Sequence, residues 1–112
     1  MKFDEYQALA STTAIYPKED FKGIAYAALG LAGEAAEVAN KVKKIIRDYS
    51  NIEQGIEEKR EAIKVELGDV LWYIAAMCEE FDLDFSEIAR QNIIKLQSRA
   101  NRGVISGDGD NR

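Results

Sequence analysis

Two pairs of carboxylates constrain this chain more than any other feature of it. Glu34 with Glu37, and Glu66 with Asp69, each stand three residues apart in small, apolar segments, Leu31-Ala32-Gly33-Glu34-Ala35-Ala36-Glu37-Val38 and Val65-Glu66-Leu67-Gly68-Asp69-Val70. Residues three apart on a helix occupy neighbouring positions of one face, so each pair directs both carboxylates to the same side. The pairs are also mirrored: Glu34 and Asp69, like Glu37 and Glu66, are equidistant from the Asn51/Ile52 junction, where the chain looks most like a turn. Two antiparallel helices folded about that junction would set Glu34 level with Asp69 and Glu37 level with Glu66. Four carboxylates would then meet at one height. They cannot all stay ionised in a partly covered site without a cation, and an all-oxygen donor set of Asp and Glu suits a hard divalent ion such as Mg²⁺ or Mn²⁺. Either pair alone would read as a solvated helix face; their mirrored placement beside apolar stripes argues for a site.

The stripes support the hairpin. Ile24, Ala28, Leu31, Ala35, Val38, Val42, Ile45 and Tyr49 recur at helical spacing in a segment running from about Asp20 or Gly23 to Asp48, and Ile56, Ile63, Leu67, Val70, Ile74, Met77, Cys78 and Phe81 do so after the turn. Ser50-Asn51-Ile52-Glu53 has the spacing of a capping box, and Ser50 to Gly55 holds the turn. A shorter helix is expected on each side. The first runs from Phe3 to about Thr13, with Asp4 able to cap it, and is broken by Tyr16-Pro17. The last opens on the capping box Asp84-Phe85-Ser86-Glu87 and runs to about Arg102. The fold class is therefore all-α, a helical hairpin with flanking helices, four in all. Its apolar arcs are wider than one chain of this length can cover, so a bundle completed by oligomerisation is expected.

Composition removes several classes of function. At 112 residues the chain is one domain, 1–112. A net charge of −5 without a basic block argues against nucleic-acid coating. No apolar run approaches the roughly 20 residues that span a membrane, and there is no signal-peptide pattern, so a cytoplasmic protein is expected. With no His, neither a His-based catalytic couple nor a His-ligated zinc site is available. The one cysteine, Cys78, falls on an apolar helix face and reads as a small buried hydrophobe.

On the last helix Phe85, Ile88, Ala89 and Leu96 supply a core side, and Asn92 falls among them, a polar amide that would need a partner if buried. Lys95, Arg99 and Arg102 continue the Asn92 side as a basic edge on an acidic protein. Carboxylates for a divalent ion beside a cationic edge suit a polyphosphate, the ion and the cations together offsetting its charge. The tail, residues 103–112, is too rich in Gly and Asp for helix or strand; it reads as a disordered end, or else as a segment that closes over a ligand.

Taken together, Glu34-x-x-Glu37 followed after 28 residues by Glu66-x-x-Asp69, the flanking Leu31-Ala32-Gly33 and Val70-Leu71-Trp72-Tyr73, and Asn92-x-x-Lys95-Leu96-x-x-Arg99 with Arg102-Gly103 resemble the motifs of MazG-type all-α nucleoside triphosphate pyrophosphohydrolases. That resemblance implies Mg²⁺-dependent cleavage of a nucleoside triphosphate between its α and β phosphates. It implies Glu34, Glu37, Glu66 and Asp69 as metal ligands, with one glutamate activating the attacking water. It further implies Tyr73 and Lys95 on the phosphates, Asn92, Arg99 and Arg102 assisting them, and a homodimer or homotetramer. The competing reading of the same residues is a catalytically silent helical dimerisation module that binds metal for stability.

Overall fold

The computed structural model describes residues 1–112. It contains four helices, α1 (Phe3–Ser11), α2 (Lys22–Asp48), α3 (Ile52–Glu80) and α4 (Phe85–Asn101), and no strand. The helix α2 turns back on α3 through three residues, and cross-links at successive levels show that the two run antiparallel: Tyr49 to Glu58, Lys41 to Glu66 and Tyr16, just before α2, to Glu80. None of the helices is long and apolar enough to cross a membrane.

Side-chain caps set several of the boundaries. At the start of α3 the cap is Asn51, whose side chain accepts from the Gln54 N–H at 3.1 Å, one residue later than the Ser50 capping box expected; Asn serves as well as Ser, and Asn51 has the extended backbone a cap needs. Asp84 caps α4 as expected, accepting from Ser86 and Glu87 N–H groups at 2.9 and 3.4 Å. By contrast α1 stops at Ser11, short of Thr13. Ser11, Thr12 and Thr13 donate their hydroxyls to the carbonyls of Ala8, Leu9 and Ala10, which satisfies the last turn locally and competes with extending the helix. Asp4 lies inside the first turn and does not cap it.

The core sits where α1 crosses the far end of the hairpin. Ala10, Ala75, Cys78 and Phe85 are buried together, with Tyr6, Leu71, Trp72 and Ile74 packed around them, so Cys78 is the small hydrophobe expected. Gln7 holds this corner: its amide donates to Glu79 and to the Leu83 carbonyl, and its oxygen accepts from the Phe85 N–H. At the turn end the helices approach closely because Gly55 faces Ile45 and Tyr49; a Cβ there would stand 2.8 Å from Ile45 Cγ2.

Little else is covered. Only 11 of 112 residues are buried. The radius of gyration is 17.2 Å, where a compact domain of this length would have about 13 Å. From the expected α2 stripe Ile45 is buried, but Ala28, Ala35 and Val42 are exposed, and Leu29 and Ile46 beside the stripe are each 73% exposed. Between the helices Val42, Ile45, Ile56, Ile63 and Leu67 line an open apolar groove of about 430 Å³. The last helix, α4, touches α1 and the end of α3 but makes no contact with α2.

Gly55→Ala separates close packing from helix propensity. Alanine favours an exposed helix by up to about 1 kcal/mol over glycine, whereas overpacking costs about 1–3 kcal/mol. Because Ile45 and the Tyr49 ring lie within 3.0 Å of the new methyl, the expected net effect is a lower midpoint of urea unfolding.

Candidate active site

The hairpin brings three of the four predicted carboxylates together. One oxygen each of Glu34, Glu66 and Asp69 lie within 4.8 Å of one another, with Glu34 and Glu66 partly covered and Asp69 exposed. Glu37 stands outside this trio and is exposed. The reason lies across the hairpin. The residue that meets Glu66 is Lys41, one turn beyond Glu37, with Nζ 2.8 Å from Oε1.

The crowding bears on protonation. Burial first, then the charges of Asp69, Glu66 and Glu37 and a hydrogen bond shared with Glu66, push the Glu34 carboxyl above its ordinary range. The Lys41 pKa is raised as well: its hydrogen bond to Glu66, helped by the charges of Glu66 and Glu37, outweighs desolvation and holds the ammonium protonated more firmly than usual. The crowding thus makes Glu34 easier to protonate, and Lys41 offsets part of the charge on Glu66.

Tyr73, one turn beyond Asp69, borders the trio. Its ring lies against Gly30, where any Cβ would collide with it. Burial, then Tyr26, then the charges of Glu34 and Asp69 raise its hydroxyl above the usual phenol range, so it stays a donor. Trp72 meets Tyr73 edge-on at 4.9 Å between ring centroids, and Tyr16 stacks on Tyr26 at 4.7 Å. The Trp72 indole donates to Thr13 Oγ1 at 2.8 Å, which ties the segment after α1 to this wall. On the open side, a Cβ at Gly33 or Gly68 would meet nothing within 4 Å.

The remaining sequence candidates lie elsewhere in the chain. Asn92 and Lys95 are exposed on α4, lining a shallow hollow with Ile88 and Gln91, so Asn92 needs no buried partner. The one ionic partner of Lys95 is Asp110, 3.9 Å away. Arg99 is only 5% exposed, its guanidinium donating to the Asp110 carbonyl at 2.8 Å and facing the Asp110 carboxylate at 3.6 Å. Arg102 donates to the Arg112 carbonyl and to Ser98 Oγ. Arg112 in turn donates to the carbonyls of Val104, Ile105 and Gly109. The tail is thus not a disordered end: Arg99 and Arg102 tie it to the C-terminal end of α4, and Arg112 closes it on itself. Within one chain the basic edge serves the tail and does not reach the carboxylates.

The family model for the MazG nucleotide pyrophosphohydrolase domain matches residues 24–104, from the start of α2 to beyond α4. The chain belongs to the MazG family. As a MazG domain it is all-helical, and the match takes in all but the first two residues of the hairpin, with its carboxylates. It is also 47% identical over 116 residues to "Gene 37 protein" of Mycobacterium phage L5, an alignment covering 100% of both chains. No solved structure matches it.

The position of Lys41 was legible in the sequence, since it falls seven residues after Glu34 and four after Glu37 on one face of α2, but it carries no weight in a reading built on carboxylates. The Tyr16 and Tyr26 stack had no such signal, because it joins a loop to a helix.

The Glu34 shift makes a prediction about pH. A carboxyl whose folded-state pKa lies above its unfolded value favours the fold when protonated, so the metal-free protein loses stability as pH rises above the ordinary carboxylate range. In excess chelator, Glu34→Gln is expected to melt above wild type at about pH 8, and the difference to vanish towards the ordinary value of 4.5. Calorimetric melts across that range check it; an equal offset at every pH contradicts it.

Proposed function

We propose that the chain hydrolyses nucleoside or deoxynucleoside triphosphates to the nucleoside monophosphate and pyrophosphate, using Mg²⁺, or Mn²⁺ in its place. The observation that carries the proposal is the convergence of Glu34, Glu66 and Asp69 on the hairpin of a MazG domain. The donor set fits such an ion. All its atoms are hard carboxylate oxygens, and oxygens about 2.1 Å from one Mg²⁺ are roughly 3–4 Å apart, a spacing reached from the observed 4.8 Å by small side-chain rotations. When bound, the ion supplies charge neutralisation at the phosphate oxygens.

The chain's own residues have separate tasks. Glu34, Glu66 and Asp69 hold the ion. Glu37, exposed beside them and outside the trio, is the carboxylate left to take the proton of the attacking water or to complete the ligand set. Tyr73 remains protonated and donates towards a phosphate, and the aromatic wall behind it keeps water from that side. Asn92 and Lys95 are exposed on a helix that does not touch α2, so they contact phosphates across an interface, with Arg99 and Arg102 supporting them from the same edge. The assembly is accordingly a homodimer or homotetramer. Support for it comes from the extended shape, the 11 buried residues and the apolar groove between α2 and α3. We place the activity in the cytoplasm, where its substrates are.

A panel of nucleoside triphosphates assayed for released pyrophosphate tests the reading. Activity is expected with Mg²⁺ and none in excess chelator. Asp69→Asn should lower kcat/KM at least about 100-fold with helicity intact, as loss of a group that acts on transition-state charge does. Silence across the whole panel, with melting still raised by Mg²⁺, would instead establish the catalytically silent metal-binding module. Light scattering at micromolar concentration is expected to report a dimer or tetramer, and a monomer would remove the shared site.

A further inference from the structure

Of the eight ion pairs in the chain, the one between Lys41 and Glu66 alone joins two helices. It is also the one whose two side chains are both largely covered, at 24% and 16% exposure. Its place is unusual for a structural link. Glu66 has the Lys41 ammonium at 2.8 Å on one oxygen and belongs, through its carboxylate, to the trio with Glu34 and Asp69. A cation already on the protein therefore stands on a carboxylate that a divalent ion at the trio would also need.

We propose that Lys41 is the exchangeable counter-ion of the carboxylate site: it neutralises Glu66 until a divalent ion takes that role, and its released ammonium then contacts the triphosphate. The inference rests on the triphosphate-hydrolase reading above. Three physical arguments support it. An ammonium and a divalent cation on one carboxylate repel each other, so the arrival of the second loosens the first. Lysine is a point charge on four flexible methylenes, with no fixed fork to bind it to Glu66, and can swing away at small conformational expense. Finally, Lys41 shares the α2 face with Glu34 and Glu37, so its reach includes the space a phosphate must enter to meet the trio.

Mn²⁺ titrations without nucleotide, followed calorimetrically, test the exchange directly on full-length protein. Lys41→Met removes the competitor and should bind Mn²⁺ about 3- to 30-fold tighter than wild type, a range between that of an exposed ion pair and that of a fully covered charge-assisted contact. Its melting temperature should fall below wild type in chelator and return to it in saturating Mn²⁺. Lys41→Arg should do the reverse, binding Mn²⁺ several-fold more weakly because a bidentate guanidinium is harder to displace from a carboxylate. In the triphosphate assay Lys41→Met should lose about 10- to 100-fold in kcat/KM, carried by KM more than kcat. Unchanged or weaker Mn²⁺ binding by Lys41→Met, with the same loss of stability with and without the ion, would make Lys41 a helix staple and overturn the proposal. If Lys41→Met does not fold, tighter Mn²⁺ binding by Lys41→Arg overturns it equally. Wild type that hydrolyses triphosphates while Lys41→Met shows no change in KM would remove the phosphate contact alone, whereas wild type that neither binds Mn²⁺ nor hydrolyses any triphosphate would remove the hydrolase reading and this one with it.

Discussion

Everything in this chain depends on the close antiparallel contact of α2 and α3. Small residues make it possible. Gly55 lets α3 approach Ile45 and Tyr49, Ala27 is wholly buried, and Gly30 admits the Tyr73 ring. Once the helices are at that spacing, Glu34 and Asp69, equidistant from the turn, come level, because both helices rise by the same amount per residue. Convergence of Glu34, Glu66 and Asp69 is thus a result of packing, not of any attraction among the acids, which repel.

That repulsion is the energetic counterpart of the site. The fold holds the acids together against it by two means, an ammonium supplied by Lys41 and exposure of Asp69 to water, and the repulsion that is left raises the Glu34 carboxyl above its ordinary range. A divalent ion would offset the same charge more fully. An ion bound there would stabilise the fold, since only the folded chain offers the ligand set.

Much of this was legible in the residue pattern, because hairpin geometry follows from helical period and turn position alone. The mirrored carboxylates, the long paired stripes, the Asp84 cap and the buried Cys78 all belong to that class. What escaped the pattern depends on side chains crossing between elements. Across the hairpin the residue that meets Glu66 is Lys41, and Glu37 stays outside the trio. The serine and threonines that end α1 do so by bonding back to their own turn. The tail looked disordered by composition, yet Arg99, Arg102 and Arg112 satisfy its carbonyls, a partnership that no periodicity announces. Apolar stripes, likewise, mark which faces must be covered and are silent on whether the same chain covers them; here α4 leaves α2 bare.

The central claim is that one divalent ion sits on Glu34, Glu66 and Asp69. Paramagnetic broadening by substoichiometric Mn²⁺, read from amide resonances, tests it at residue level. The account predicts that the amides from Gly33 to Glu37 and from Val65 to Tyr73 vanish first, and that those of the acidic tail around Asp108 and Asp110 remain sharp. Broadening centred on the tail, with the hairpin signals untouched, would contradict it.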